Sequence, residues 1–142
     1  MNFKKIIGLL VCISFLIVSC RTTKQEKPTT ILTQSQKLDN TAVFIDACRE
    51  KIAGNKDKAV NLFLSCIKTD PTNAAAYYEI AGLYYLQKKD KEALSYIEKA
   101  IKIDSKNNWY KMLYANILVV NYKLKEAIAV YENLVNENPN NL

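Results

Sequence analysis

The stretch Tyr77-Tyr78-Glu79-Ile80-Ala81-Gly82-Leu83-Tyr84, followed after a short lysine-rich gap by Lys91-Glu92-Ala93-Leu94, decides the fold. Its large residues recur three and four positions apart, the spacing of one helix face, and the gap leaves room for a turn. Displacing the chain against itself so that Ala47 falls on Ala81 brings Ala81 onto Ala115, and at the same step aligns Ala59 with Ala93 and Ala127. Asn73, Asn107 and Asn141 form a third column. Large apolar residues form others: Val60, Leu94 and Ile128; Phe63, Ile97 and Tyr131; Ile67, Ile101 and Val135. Pro71 and Pro139 stand two steps apart, with Ser105 between them. A fixed period in this range marks a stacked array of short structural units.

Three units follow, residues 40–73, 74–107 and 108–141. Within each, the small residues let two helices approach closely and the large ones fill the gap to the neighbouring pair. In the first and third units Pro71 and Pro139 follow the second helix, which proline cannot continue. Helices are expected near 40–53, 57–69, 74–88, 91–103, 108–122 and 125–137. One unit cannot bury its own apolar face, and about three are needed for stability.

The unit resembles the tetratricopeptide repeat. In the middle unit the resemblance is carried by Tyr77, Ile80, Ala81, Tyr84, Ala93, Ile97 and Ala100, with Ser105 where that family usually has proline. The first unit keeps Ala47, Gly54, Ala59, Phe63 and Pro71. It departs at Asp46 and Glu50, where the family prefers leucine and tyrosine, so it reads as an end cap. The third keeps Ala115, Ala127, Tyr131 and Pro139 but places Lys111 where a large hydrophobe is common. The resemblance implies an all-α fold, a right-handed superhelical solenoid of about three helix-turn-helix repeats over residues 40–142.

It also implies a protein or peptide partner, held in a groove lined by the first helix of each repeat. Carried onto this sequence, the groove positions are Thr41, Phe44, Cys48, Lys51 and Ile52, then Ala75, Tyr78, Gly82, Tyr85 and Leu86, then Trp109, Met112, Asn116, Val119 and Val120. Phe44, Tyr78, Tyr85, Trp109, Met112 and Asn116 are the candidate contacts, because rigid aromatic area with a polar tip suits an interaction hot spot. The carboxylate clamp of some tetratricopeptide domains is not reproduced, since Phe44, Cys48 and Leu113 occupy clamp-type positions. An apolar or aromatic-rich segment is therefore the expected ligand.

Residues 1–39 read differently. Lys4 and Lys5 precede the apolar run Ile6 to Val18, shorter than the roughly 20 residues a spanning helix needs. Residues 1–19 thus read as a signal peptide. Ile17-Val18-Ser19-Cys20 resembles a bacterial lipobox, which implies lipidation of Cys20 through its nucleophilic thiol. Residues 20–39, rich in Thr, Gln and Lys with Pro28 near the middle, read as the lipidated cysteine and a polar tether. The expected location is the envelope of a bacterium, anchored to a membrane by lipid. The lipoprotein resemblance implies a sorting pattern in which aspartate after the cysteine favours the inner membrane, so Arg21 leans toward the periplasmic side of the outer membrane.

Composition bounds the chemistry. The 142 residues carry 20 Lys and Arg, 14 Asp and Glu, and no histidine. Most of the +6 charge sits in residues 1–39, and residues 40–142 are nearly balanced. No basic stripe on the repeats points to nucleic acid. Without histidine the commonest general base and metal ligand is missing, and no enzyme, cofactor or metal site is expected. Cys48 and Cys66 either pair in an oxidising compartment or sit as two small buried residues, the second being preferred. Nothing in the sequence covers Ile128, Val130 and Leu134, so that surface is expected to dock on something. A self-associating structural protein is the alternative to an adaptor.

Overall fold

The computed structural model describes residues 32–137. The leader, Cys20 and most of the tether lie outside the described residues, as do Pro139 and Asn141. Among the described residues six helices follow in order: α1 Gln34–Ile52, α2 Lys56–Thr69, α3 Ala74–Leu86, α4 Asp90–Ile103, α5 Asn108–Val120 and α6 Leu124–Glu137. Each packs on its neighbours in sequence, as antiparallel hairpins α1–α2, α3–α4 and α5–α6 stacked side by side.

The alanine columns do what their size allows. Ala47, Ala81, Ala115, Ala59 and Ala93 are wholly inaccessible, and Ala127 nearly so. They sit where the helices of one hairpin cross, where any larger side chain would push them apart. Phe63 and Ile97, from the large-residue column, are fully buried between hairpins. One buried cluster joins Ala47, Ala59, Val60, Phe63 and Cys66 of the first hairpin to Ala76, Ile80 and Leu83 of α3. A second joins Ala81, Ala93, Ile97 and Ala100 to Tyr110 and Ile117 of α5. Burying one of the larger members, such as Phe63, Ile80, Leu83, Ile97 or Ile117, contributes about 1.5–3 kcal/mol. Each cluster spans two units, so neither unit holds its core alone.

The asparagine column has a capping role. The Asn73 side-chain carbonyl accepts the Ala76 N–H at 3.0 Å, and that of Asn107 accepts the Trp109 N–H at 3.1 Å, closing the free N-termini of α3 and α5. A second column lies at the hairpin turns. Gly54, Lys88 and Tyr122, separated by the same repeat step, all adopt the left-handed conformation, with φ of +84°, +57° and +60°. Only the first turn uses the residue that does so without steric cost.

One boundary differs from expectation. The first helix starts at Gln34, not near residue 40, so residues 34–39 are helix rather than tether. Thr33 and Gln36 explain it by a reciprocal capping box. The Thr33 hydroxyl accepts the Gln36 N–H at 3.3 Å, and the Gln36 side-chain carbonyl accepts the Thr33 N–H at 2.9 Å. The polar composition hid this start, because an exposed first turn needs no apolar period.

The departures in units one and three find polar partners. Asp46 pairs with Arg49 on the open face of α1. Glu50 accepts from Lys58 and from the Asn55 amide, each at 2.7 Å, and these bonds hold its carboxyl below the usual range. Lys111 reaches across its own hairpin to Glu137 at 2.6 Å and to the Asn133 side-chain carbonyl at 3.4 Å.

Cys48 and Cys66 are both free thiols. Cys66 is fully buried and Cys48 packs against the same cluster half-buried. Burial pushes the Cys66 thiol up to about 11. The Cys66 S–H points at the Asn40 carbonyl at 3.8 Å.

Candidate functional site

The first helices of the second and third units, α3 and α5, touch one another directly, and their free faces line one side of the array. Two depressions hold groove positions. One is central, about 440 Å³, bounded by Tyr78, Gly82, Leu83, Tyr85 and Leu86 of α3 together with Lys51 of α1 and Leu113 of α5. Four of its residues, Tyr78, Gly82, Tyr85 and Leu86, are among the five groove positions of the middle unit. Two neighbouring helices thus complete what α3 begins.

Two contacts fix its walls. Lys51 donates to Glu79 at 2.7 Å, tying α1 to α3 at the rim and neutralising both charges. Tyr78 stacks on Tyr110 with centroids 5.0 Å apart, tying α3 to α5. Tyr110 is nearly inaccessible, and that burial raises its phenol above its usual value. Gly82 forms the floor. A Cβ there would meet only Leu113 Cδ2 at 3.9 Å, an ordinary contact, so the site has room above the glycine.

The second depression, about 420 Å³, lies at the first unit. Thr41 and Phe44 of α1 and Ala75 of α3 line it with Leu32, Lys37, Asn40, Asp70 and Asn73. Phe44 also meets Phe63 edge-on, centroids 5.2 Å apart, so one edge belongs to the core and the rest to the depression.

The remaining candidates are divided. Trp109 is 71% exposed and Met112 45% exposed at the start of α5. They are accessible but line neither depression. Asn116 is committed to its own hairpin, accepting the Tyr131 hydroxyl hydrogen at 2.6 Å. The structure therefore brings Tyr78 and Tyr85 together, places Phe44 in a separate hollow, leaves Trp109 and Met112 on an open surface, and turns Asn116 inward.

Sequence reasoning missed Glu79 and the outer residues of the first hollow. Glu79 has no apolar signal, but Lys51, a basic residue at a groove position of the preceding unit, was a legible hint. Leu32 and Lys37 were hidden because they sit in the stretch read as tether. Among the described residues no group of three or more His, Cys, Asp or Glu could hold a metal ion. No helix among them is long and apolar enough to cross a membrane.

Known proteins share this architecture. The tetratricopeptide repeat family profile matches residues 52–117, just under half of the chain. A Saccharomyces cerevisiae protein described as essential for maintenance of the cell wall is 32% identical over 73 residues, 51% of this chain. That match spans only 8% of the yeast protein's length. Among solved structures, the first tetratricopeptide domain of Spaghetti (RPAP3), bound to the HSP90 peptide SRMEEVD, superposes with a TM-score of 0.68 at 21% identity, covering 72% of this chain and 82% of that one. The Arabidopsis OM64 tetratricopeptide domain gives 0.69 at 22% identity over 75% and 88%. YrrB, described as having an unusual peptide-binding site, gives 0.68 at 22% identity over 75% of this chain and 55% of its own. At these identities the likeness shows the fold: an all-α solenoid of tetratricopeptide repeats.

Proposed function

We propose that this solenoid of tetratricopeptide repeats is a protein-binding adaptor whose partner lays an apolar or aromatic segment along the faces of α1, α3 and α5. The observation that carries this reading is the central depression. It is walled by Tyr78, Tyr85, Leu86 and Leu113, its close charges Lys51 and Glu79 are paired with one another, and a glycine leaves its floor open. A ligand presenting a carboxylate would find no unpaired cation among the residues lining it. One presenting leucine or aromatic side chains would gain about 25 cal/mol for each Å² of apolar surface buried. The bound peptide named for one structural neighbour and the peptide-binding site named for another support a peptide as the class of ligand.

We further propose that Cys20 carries lipid and that the adaptor works in a bacterial envelope, anchored to the outer membrane in preference to the inner. This rests on the leader and lipobox-like sequence alone. In the cell, a clickable palmitate analogue should label the wild-type chain, and Cys20→Ala should lose the label and leave the membrane fraction. An unlabelled wild-type chain refutes the anchor.

The groove is tested by photo-crosslinking in the native cell from positions 78, 85 and 109, read by mass spectrometry. A recurrent polypeptide at 78 and 85 is expected. Gly82→Gln should abolish that crosslink while leaving the fold intact or up to about 1 kcal/mol more stable, because it fills the floor and removes a mid-helix glycine. Crosslinks that survive Gly82→Gln would sink the reading.

A further inference from the structure

The outward side of α6 carries a second surface, separate from the groove. Leu124, Ile128, Tyr131 and Val135 follow one another at steps of four, three and four. Leu124 and Ile128 are each 55% exposed and Val135 43%. Ile128, Tyr131 and Val135 frame a shallow concavity of about 490 Å³ with Glu132 and Asn136. Alternation of three and four is the spacing of a helix seam that packs against another helix.

The same columns are covered in the earlier units. Val60, Phe63 and Ile67 lie beneath α3, and Leu94, Ile97 and Ile101 beneath α5, buried or half-buried in each case. At the head of the stripe the third unit departs from the others. Leu124 stands where α2 has Lys56 and α4 has Asp90. Where the first two units place a charge, the third places a leucine that is 55% exposed.

The other end of the array cannot fill the seam. α3 meets the preceding hairpin through Ala76, Ile80 and Leu83, and α5 meets it through Tyr110, Tyr114 and Ile117. The corresponding residues of α1 are Ala42, Asp46 and Arg49, all exposed, the last two an ion pair. Head-to-tail stacking would bury that pair against apolar side chains, at a desolvation cost.

The helix of this chain that matches α6 is α6 itself. Two copies running antiparallel about a two-fold axis between Ile128 and Tyr131 set Ile128 against the partner's Tyr131 and Leu124 against the partner's Val135. In that register the flanking residue Lys125 lies about 3 Å along the axis from the level of the partner's Glu132, within reach of these two long side chains, and by symmetry Glu132 lies likewise from the partner's Lys125. Both residues are exposed. Like charges meet nowhere along that flank, so the seam is self-complementary in period and in charge. We propose that the chain forms a two-fold symmetric dimer through α6, with Leu124, Ile128, Tyr131 and Val135 as its core and reciprocal Lys125–Glu132 pairs as its selector.

The test is sedimentation velocity of the full chain in mild detergent over a concentration series, with surface charge variants that leave the core untouched. Wild type should shift reversibly from monomer to dimer. Lys125→Glu alone and Glu132→Lys alone should each weaken the dimer about tenfold, since each sets two like-charged pairs in contact. The double variant Lys125→Glu with Glu132→Lys should restore wild-type affinity. A chain that stays monomeric at every concentration overturns the proposal, whether the seam is covered by residues of its own chain or by another protein. Self-association that ignores the single variants, or that the double variant fails to restore, overturns it as well.

Discussion

The two ends of the array are built on one repeat template and treat water in opposite ways. At the first, α1 turns Ala42, Asp46 and Arg49 outward and adds a capping box at Thr33. At the last, α6 turns Leu124, Ile128 and Val135 outward. A stacked array always leaves two faces without a neighbour, and a polar face is the ordinary solution. Among the described residues, the first end thus presents an ion pair to water and the last presents apolar side chains. Phe63 lies in the cluster that joins the first hairpin to α3 and is wholly inaccessible.

The largest expected effect comes from one column truncated at both ends. Phe63→Ala should cost about 3–5 kcal/mol in urea denaturation, because it empties a sealed site. Tyr131→Ala, in the same column but half-exposed, should cost only about 1–2 kcal/mol. Equal losses would break the comparison by showing that both ends are equally buried.

Next, removing the charges should convert a closed end into an open one. Asp46→Ile combined with Arg49→Ile should let α1 stack on α6 of the next copy. A heterologous contact that does not close grows without limit. Light scattering should then show mass rising beyond a dimer. A variant no larger than wild type would mean that the polar face is not what blocks stacking.

A smaller effect is tied to the first end by its thiol. Cys66 is protonated in the fold up to about pH 11, against an ordinary value of 9.0. Between those values the unfolded chain releases this proton and the folded one keeps it, so stability falls as pH rises through that window. Burial raises Tyr77, Tyr96, Tyr110 and Tyr114 in the same direction. Melting curves should therefore fall above pH 9 and stay level just below it, and Cys66→Ala should flatten the early part of the decline.

The smallest effect sharpens the comparison at the turns. Tyr122→Gly should stabilise by up to about 1 kcal/mol, since a left-handed tyrosine carries a cost that Gly54 avoids. Its side chain is almost wholly exposed, so little packing is lost. A destabilised variant would show that the phenol has a contact worth more than the strain.

Much of this was legible in the residues themselves. The alanine and large-apolar columns placed five helices to within about two residues at each end, because repeat packing is local and each column reports one crossing. The middle-unit groove positions were legible for the same reason. Three features were not. The start of α1 depends on a capping exchange between Thr33 and Gln36, which has no hydrophobic period to betray it. Asn116 turned to Tyr131 because a hydroxyl from the facing helix came within reach, a matter of three-dimensional approach. Glu79 joined the rim because Lys51 on another helix arrived opposite it.

The period, the helical hairpins, the lack of histidine chemistry and the charge pattern that closes α1 all follow from the residues read in order. They are properties of size, charge and spacing along one chain. Folding in three dimensions chose which groove candidates share a wall, which are spent on the core, and which apolar columns find a neighbour. Ile97 and Tyr131 occupy equivalent places in their repeats, yet one is sealed and the other meets the surface. Among the described residues the difference is a following helix, since α5 covers Ile97 and none of the six covers Tyr131 in the same way.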